Sequence, residues 1–415
     1  MTEQLKLKLN DSKATRWGAL VIVAFTMMAA YYVNDVVAPL KTMLETDLAW
    51  SSTDFGFFTG GYSFLNVFFL MLIWGGLILD RFGIRFTGKL ATILMVGGTA
   101  LEYYAMTGLA GADATLFGIN EIFGYKTGVF VAFAGYSIFG VGAEVAGITV
   151  SKIIAKWFKG KELATAMGVQ VALARIGSQA GYAVAIPLAR AFGISTPVLL
   201  GLVLLLGGMI AFFVFAVMDK KLDKQMEAAA IAAGTEDEEE KFSFKDVKNI
   251  LVNPGFWLIA LLCVLFYSCV FPFQKFASEL MIIKYGINEN VAGTFAGLPA
   301  LGALILTPVF GGFIDKRGKS ASIMLLGSAM LICVHFIYAI PDINYWLVAI
   351  VLMIILGIAF SLVPSAMWPA VAKIFPVSQL GTAYALIFFI QNIGLWGIPT
   401  LIGWVLDAYC ISGKK

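Results

Sequence analysis

The chain has 415 residues, of which 60% are hydrophobic and 13% charged, and its mean hydropathy is +0.87. Soluble chains carry roughly 25% charged residues, so a water-soluble globular domain is excluded. The net charge of +3 falls in short clusters and leaves no nucleic-acid footprint. The four cysteines (Cys263, Cys269, Cys333, Cys410) are scattered along apolar segments and suggest neither a disulfide framework nor a metal site.

Apolar runs of about 20 residues, the length that crosses a bilayer as a helix, recur from end to end. They fall at 17–40, 54–79, 89–110, 127–155, 163–188, 195–218, 255–284, 288–314, 321–340, 345–373 and 380–407. The expected class is an all-α membrane protein. The start, MTEQLKLKLNDSKATR, is polar and basic, and the run after it is long enough to span, so no cleavable signal is expected. Between the sixth and seventh runs lies a polar segment containing TEDEEEK, with the composition of a solvated tether. It is expected to end in an amphipathic helix around FSFKDVKNIL. The chain then divides into a first half (1–218), a linker (219–253) and a second half (254–415). Six runs precede the linker and five follow it. A twelfth span is expected to be missing, through a truncated C-terminus or an altered reading frame at VLDAYCISGKK.

Lysine and arginine set the expected orientation. Lys6, Lys8, Lys13 and Arg16 precede the first span, Arg81, Arg85 and Lys89 follow the second, and Lys156, Lys159 and Lys161 follow the fourth. Further clusters follow the sixth and eighth spans, whereas the intervening loops hold few. By the positive-inside rule these clusters and the N-terminus face the cytoplasm.

The halves repeat each other. Gly76-Leu-Ile-Leu-Asp80-Arg81-Phe-Gly83 leaves the second span and Gly311-Gly-Phe-Ile-Asp315-Lys316-Arg-Gly318 leaves the eighth. Both read G-x-x-x-D-[RK]-x-G. The first glycine suits close helix approach and the last a positive φ. The aspartate suits the positive end of a neighbouring helix. AKWFKGKELATAMG (155–168) also aligns with AKIFPVSQLGTAYA (372–385), and in that register Arg175 falls over Asn392.

These loops, the two related halves and the central linker resemble the major facilitator superfamily. Trp157-Phe-Lys-Gly-Lys-Glu-Leu163, Ala174-Arg-Ile-Gly-Ser178, Val270-Phe-Pro-Phe273, Met367-Trp-Pro369 and Gly381-Thr-Ala-Tyr384 with Gln391-Asn392 resemble a branch of it that includes a lysosomal dipeptide transporter and its microbial relatives. The resemblance implies a fold of two pseudo-symmetric six-helix halves, with about eleven spans present here. It implies transport by alternating access, with Gly76, Asp80, Arg81, Gly83, Arg85, Gly311, Asp315 and Gly318 in gating roles. Ile84 departs from the pattern, which usually carries another basic residue there.

Charges inside spans cost about 2.5–3.5 kcal/mol on insertion scales and are functional candidates by default. Glu144 in the fourth span and Arg175 in the fifth each lie about 11–12 residues from the basic end, or about 16–18 Å deep at 1.5 Å per residue. Two readings stand side by side: a permanent ion pair that balances two charges, or a site for the opposite ends of a zwitterion. In the second, Arg175 takes a carboxylate with its planar fork and Glu144 takes an amine. The resemblance implies the second, because a glutamate and an arginine at these places serve dipeptides in that branch.

Tyr32, Tyr136, Tyr267, Gln274, Trp368, Gln391 and Asn392 are the further candidates for the cavity wall, with Pro272 as a break in the seventh span. Lys275 and Glu279, one turn apart, are expected to pair near the outer interface, Glu102 to reach outer headgroups, and His335 to be packed. The expected function is dipeptide transport by facilitative uniport. The rivals are proton-coupled or exchange transport of another small organic anion or amino-acid derivative, and a non-transporting nutrient receptor. The sequence suggests no catalytic set and no cofactor, and the expected partners are a small zwitterionic or anionic substrate and the lipid bilayer. A monomer in a bacterial inner membrane is expected over a glycosylated lysosomal protein.

Overall fold

The computed structural model describes residues 8–111, 114–233, 244–375 and 377–410. Helix α1 (Lys13–Val36) starts at Ser12, whose hydroxyl accepts from the Thr15 N–H at 3.4 Å. A short α2 (Lys41–Asp47) leads to α3 (Ser52–Phe68). The start of α3 is fixed by a capping box, in which Ser51 and Asp54 each accept from the other's backbone N–H at 3.0 and 2.9 Å. A 58° bend then leads into α4 (Met71–Thr107).

Gly83, at φ +74°, divides α4 into two limbs. Its counterpart Gly318, at φ +68°, ends α11 (Leu298–Arg317). Both copies of the loop motif therefore end on the backbone geometry that favours glycine. After α4 comes a ribbon of β1 (Glu121–Ile122) and β2 (Tyr125–Lys126), then α5 (Thr127–Trp157), α6 (Leu163–Phe192) and α7 (Thr196–Ala233). The remaining helices are α8 (Phe244–Val252), α9 (Pro254–Ile283), α10 (Glu289–Ala296), α11 (Leu298–Arg317), α12 (Ser320–Ala339), α13 (Trp346–Ile374) and α14 (Val377–Val405).

Each apolar run read from the sequence is predominantly helical. By length and composition, eight helices among the described residues are able to cross a membrane, or nine when the bent pair α3–α4 counts as one. The difference from eleven has two sources. The end of the second run and the third run join through Gly83 into the single helix α4, and α6, which carries Gln170, Arg175, Ser178 and Gln179, is not among the eight.

The polar segment expected from 219 onward is also more ordered than a tether. It continues α7 to Ala233, because its residues are strong helix formers and its first turns are anchored. Leu222 is buried, and Asp219 and Asp223 pair with Lys156 at 2.7 and 2.5 Å. The acidic run itself, within 234–243, lies outside the described residues. The expected amphipathic helix is α8.

Two large apolar cores organise the molecule. One runs from Ala19 to Leu222 and takes in Phe276, and the other runs from Ile250 to Ile387 and takes in Ala38 and Tyr182; a small third cluster gathers Ile314, Ile323, Leu362 and Ala366. The two bundles meet along α3 against α14 and α6 against α10 and α11. A Cβ at Gly56 would lie 2.4 Å from the Pro399 carbonyl oxygen, and one at Gly293 would lie 2.2 Å from that of Tyr182. Small residues thus permit the close approach on which helix association in lipid depends.

Candidate functional site

A polar seal joins the bundles on the side away from the basic clusters. Lys41, 1% exposed, donates to Glu45, to the Ser52 hydroxyl at 2.8 Å and to Glu279 of α9 at 2.6 Å. Lys275 of α9 reaches across to the Asn34 carbonyl, to Asp35 at 3.1 Å and to the Tyr136 hydroxyl at 3.3 Å. Asp407, just beyond α14, accepts from the Ser52 and Thr53 N–H groups at 3.1 and 2.6 Å, capping α3 from the other bundle. Arg190 pairs with Glu289.

The expected Lys275–Glu279 pair is therefore replaced by two cross-bundle pairs, Lys275–Asp35 and Lys41–Glu279. A one-turn spacing on a helix allows a local pair, but here both side chains turn to oppositely charged groups on the facing bundle. Glu102 also departs from expectation. It is fully buried, with no hydrogen-bond partner for either carboxylate oxygen among the described residues. The α4–α5 contact is too close for it to reach headgroups: a Cβ at Gly135 would lie 2.6 Å from the Gly98 carbonyl oxygen and 2.9 Å from the Glu102 nitrogen.

Glu144 and Arg175 lie on the other side of this seal, in the middle of α5 and α6. Both are half-buried. The Tyr62 hydroxyl donates to Glu144 Oε1 at 3.0 Å. Gly140, one turn before Glu144, makes this possible, since a Cβ there would lie 2.0 Å from the Tyr62 carbonyl oxygen. Gly177 seats Arg175 in the same way, because a Cβ at Gly177 would lie 2.1 Å from the Met28 carbonyl oxygen. This contact sets α6 on α1 and brings the guanidinium 5.5 Å from the ring centroid of Tyr31.

On its other side the guanidinium lies 5.0 Å from the Phe360 ring of the second bundle. Such contacts are worth roughly 0.5–2 kcal/mol, most when desolvated. Phe360 belongs to an aromatic wall in which Tyr267 packs against Phe271 and Phe360. Trp368 Nε1 donates to the Tyr267 hydroxyl at 3.2 Å, and Trp368 stacks on Phe388 at 4.8 Å. Among the described residues Arg175 has no carboxylate partner within 4.0 Å, and Glu144 is held only by Tyr62. The pair is not fused into an ion pair in this conformation. Both residues keep some solvent-accessible surface, and the seal lies on the side away from the basic clusters.

The other candidates divide. Tyr267 and Trp368 form the wall just described. Tyr136 joins the seal, donating to the Asn34 carbonyl at 2.8 Å. Gln274 is buried beside Lys275 near that seal. Tyr32 faces α7 instead, donating to the Pro197 carbonyl at 3.2 Å. Gln391 accepts from Cys263 Sγ at 3.3 Å, and Asn392 donates to the Phe388 carbonyl within its own helix at 2.9 Å. His335 is packed edge-on against Phe273.

In the loop motif Asp80 meets Lys152 at 3.1 Å rather than a helix end. Arg81 lies over Phe82, and Arg85 bonds Asp223 at 2.7 Å. The side chain of Asp315 lies outside those described. At Gly76 and Gly311 an added Cβ would meet nothing within 4 Å. The expected close approach is absent there; the tight contact falls one residue earlier, where a Cβ at Gly75 would lie 2.4 Å from Val145 Cγ2. Sequence reasoning missed Lys41, Tyr62, Phe360 and Asp407.

The sequence profile of the Major Facilitator Superfamily matches residues 20–397. The chain is a member of that superfamily. It is a multi-pass membrane transporter and not an enzyme. The human lysosomal dipeptide transporter MFSD1 is 29% identical over 409 residues, covering 95% of the chain and 81% of the relative. The chicken protein of the same name is 33% identical over 286 residues, covering 66% of the chain and 62% of the relative. Among solved structures, the nucleoside transporter NupG superposes with a TM-score of 0.69 at 13% identity, covering 95% of this transporter and 92% of NupG. A bacterial homologue of the human lysosomal transporter Spinster gives 0.66 at 16% identity, covering 96% and 84%. At such identities the likeness is one of fold.

Proposed function

We propose that this transporter carries dipeptides across the membrane by alternating access, as a facilitative uniporter. The reading rests on one observation: Glu144 and Arg175 share a half-buried level between α5 and α6, yet neither neutralises the other. An unpaired charge at that depth is costly, and a zwitterion would supply both missing counter-charges at once. A carboxylate fits the free fork of Arg175, and an amino group fits the carboxylate oxygen of Glu144 that Tyr62 leaves open. The aromatic wall of Tyr267, Phe360 and Trp368 offers side chains contact without strict shape, which suits a cargo recognised by its termini. The names of the curated relatives support the same cargo.

In this scheme the polar seal is one gate, and the two aspartate loops hold the opposite closed state. By the positive-inside rule the basic clusters favour a cytoplasmic setting for their side and for the N-terminus, and a bacterial inner membrane is the proposed location. Flux of a labelled dipeptide into proteoliposomes tests the proposal. Arg175→Ala and Glu144→Gln are expected to abolish it while leaving folded, monodisperse protein. Unchanged flux in either variant refutes the assigned roles.

A further inference from the structure

Outside the path between the bundles, on the basic side, a groove of about 510 Å³ runs between the second limb of α4 and the end of α7. Its walls carry three cations, Arg85, Lys89 and Lys220, and four apolar side chains, Phe82, Phe86, Ala216 and Val217. Behind it α4 and α7 are locked together, since a Cβ at Gly88 would lie 2.0 Å from Phe212 Cζ.

The charges do not cancel. Arg85 lies 2.7 Å from Asp223 and 3.8 Å from Asp219, and Lys156 bonds the same two carboxylates. Those two cations and two anions balance. Lys89 sits over Phe213 at 5.5 Å, and neither Lys89 nor Lys220 has a carboxylate partner among the described residues. Two uncompensated ammonium groups therefore flank one groove.

The apolar part is outward-facing. Phe82, Phe86 and Val217 are 54%, 51% and 58% exposed. The track continues away from the basic end, through exposed Ile93 on α4 and exposed Val214 and Ile210 on α7. A cationic mouth above a continuous apolar track matches a molecule with an anionic head and hydrocarbon tails. Free phosphate would use only the mouth.

We propose that this groove is a binding site for an anionic phospholipid. The phosphate sits between Lys89 and Lys220, and the acyl chains lie along Phe86, Ile93, Val214 and Ile210. Basic pockets between helices on the basic face are the general form of such sites. Because Arg85 and the Asp219–Asp223 clasp form one edge, occupancy braces the segment that follows the Asp80–Gly83 loop.

Native mass spectrometry of the purified full chain, titrated with phosphatidylglycerol or with phosphatidylcholine of the same acyl chains, tests the site. The wild type is expected to retain phosphatidylglycerol in preference, by on the order of tenfold. Lys89→Gln with Lys220→Gln is expected to bring that preference close to unity, and the distant pair Lys316→Gln with Lys319→Gln to leave it intact. Should the double variant not fold, Lys220→Glu at an exposed position gives the same reading. An equal preference in the wild type and the Lys89/Lys220 variants overturns the proposal. So does stabilisation by inorganic phosphate that depends on these lysines but is not displaced by phosphatidylglycerol, which would mark a simple anion site.

Discussion

The guanidinium of Arg175, from the first bundle, lies 5.0 Å from the ring centroid of Phe360, from the second. The contact joins the two bundles at the level of the candidate site. Replacing Phe360 with Leu keeps apolar volume but removes the ring face. With a cation–π contribution of about 1 kcal/mol, the apparent KM for transported dipeptide is expected to rise roughly fivefold, with the melting temperature little changed. Proteoliposome kinetics measure it.

The seal opposite the basic clusters depends on Lys41, which is buried among Glu45, Glu279 and Ser52. Lys41→Met leaves two carboxylates without their cation, a loss of about 3–5 kcal/mol when one member of a buried ion set is removed. The sealed conformation should lose population. A cysteine placed at Ser278, now 1% exposed, is expected to react faster with a membrane-impermeant thiol reagent from that side in the Lys41→Met background.

Gly76 and Gly83 should fail in different ways. Gly83→Ala forces an L side chain to a φ of +74° and is expected to lower stability by about 1 kcal/mol. Gly76→Val meets nothing within 4 Å of its Cβ here, so the melting temperature should hold. Flux should still fall, because the added methyls obstruct closure on that side. Parallel thermal and transport assays separate the two.

A clasp on the basic side ties the start of α1 to the loop before α6. The Lys161 ammonium and the Lys8 N–H hold Asp11 below the usual carboxylate range. Its own backbone N–H and the Arg16 guanidinium do the same for Glu162. Both carboxyls have depressed pKa values in the folded state. Their stabilisation is therefore present above the ordinary carboxylate pKa and lost as pH falls through the lowered values. Melting temperature should stay level from about pH 7 to 5 and fall below about pH 4. The fall should be smaller in Asp11→Asn with Glu162→Gln. Both groups are exposed, so the difference should be small.

The charges inside spans were legible because water-free burial makes each one expensive, and Glu144 and Arg175 stood out for that reason; the two loop motifs stood out because they repeat. Their partners were not legible. A helical pattern shows that Lys275 and Glu279 share a face, but not that α1 and α2 present Asp35 and Lys41 opposite them. Tyr31 and Tyr32 are chemically equivalent in sequence and differ by about 100° around α1; one meets Arg175 and the other packs on α7. Phe360 carried no signal at all, being one aromatic in an apolar helix. Glu102 looked like an interfacial residue by its position, and only the Gly98–Gly135 contact explains its burial.

Binding of dialanine and N-acetyl-dialanine to wild-type protein and to Glu144→Gln, measured by thermal shift across ligand concentration, isolates the amine contact. The wild type should bind the free amine at least about tenfold more tightly, the scale of one charge-assisted hydrogen bond, and Glu144→Gln should bind both ligands alike. Equal discrimination in the two proteins would contradict the pairing of Glu144 with a substrate amine.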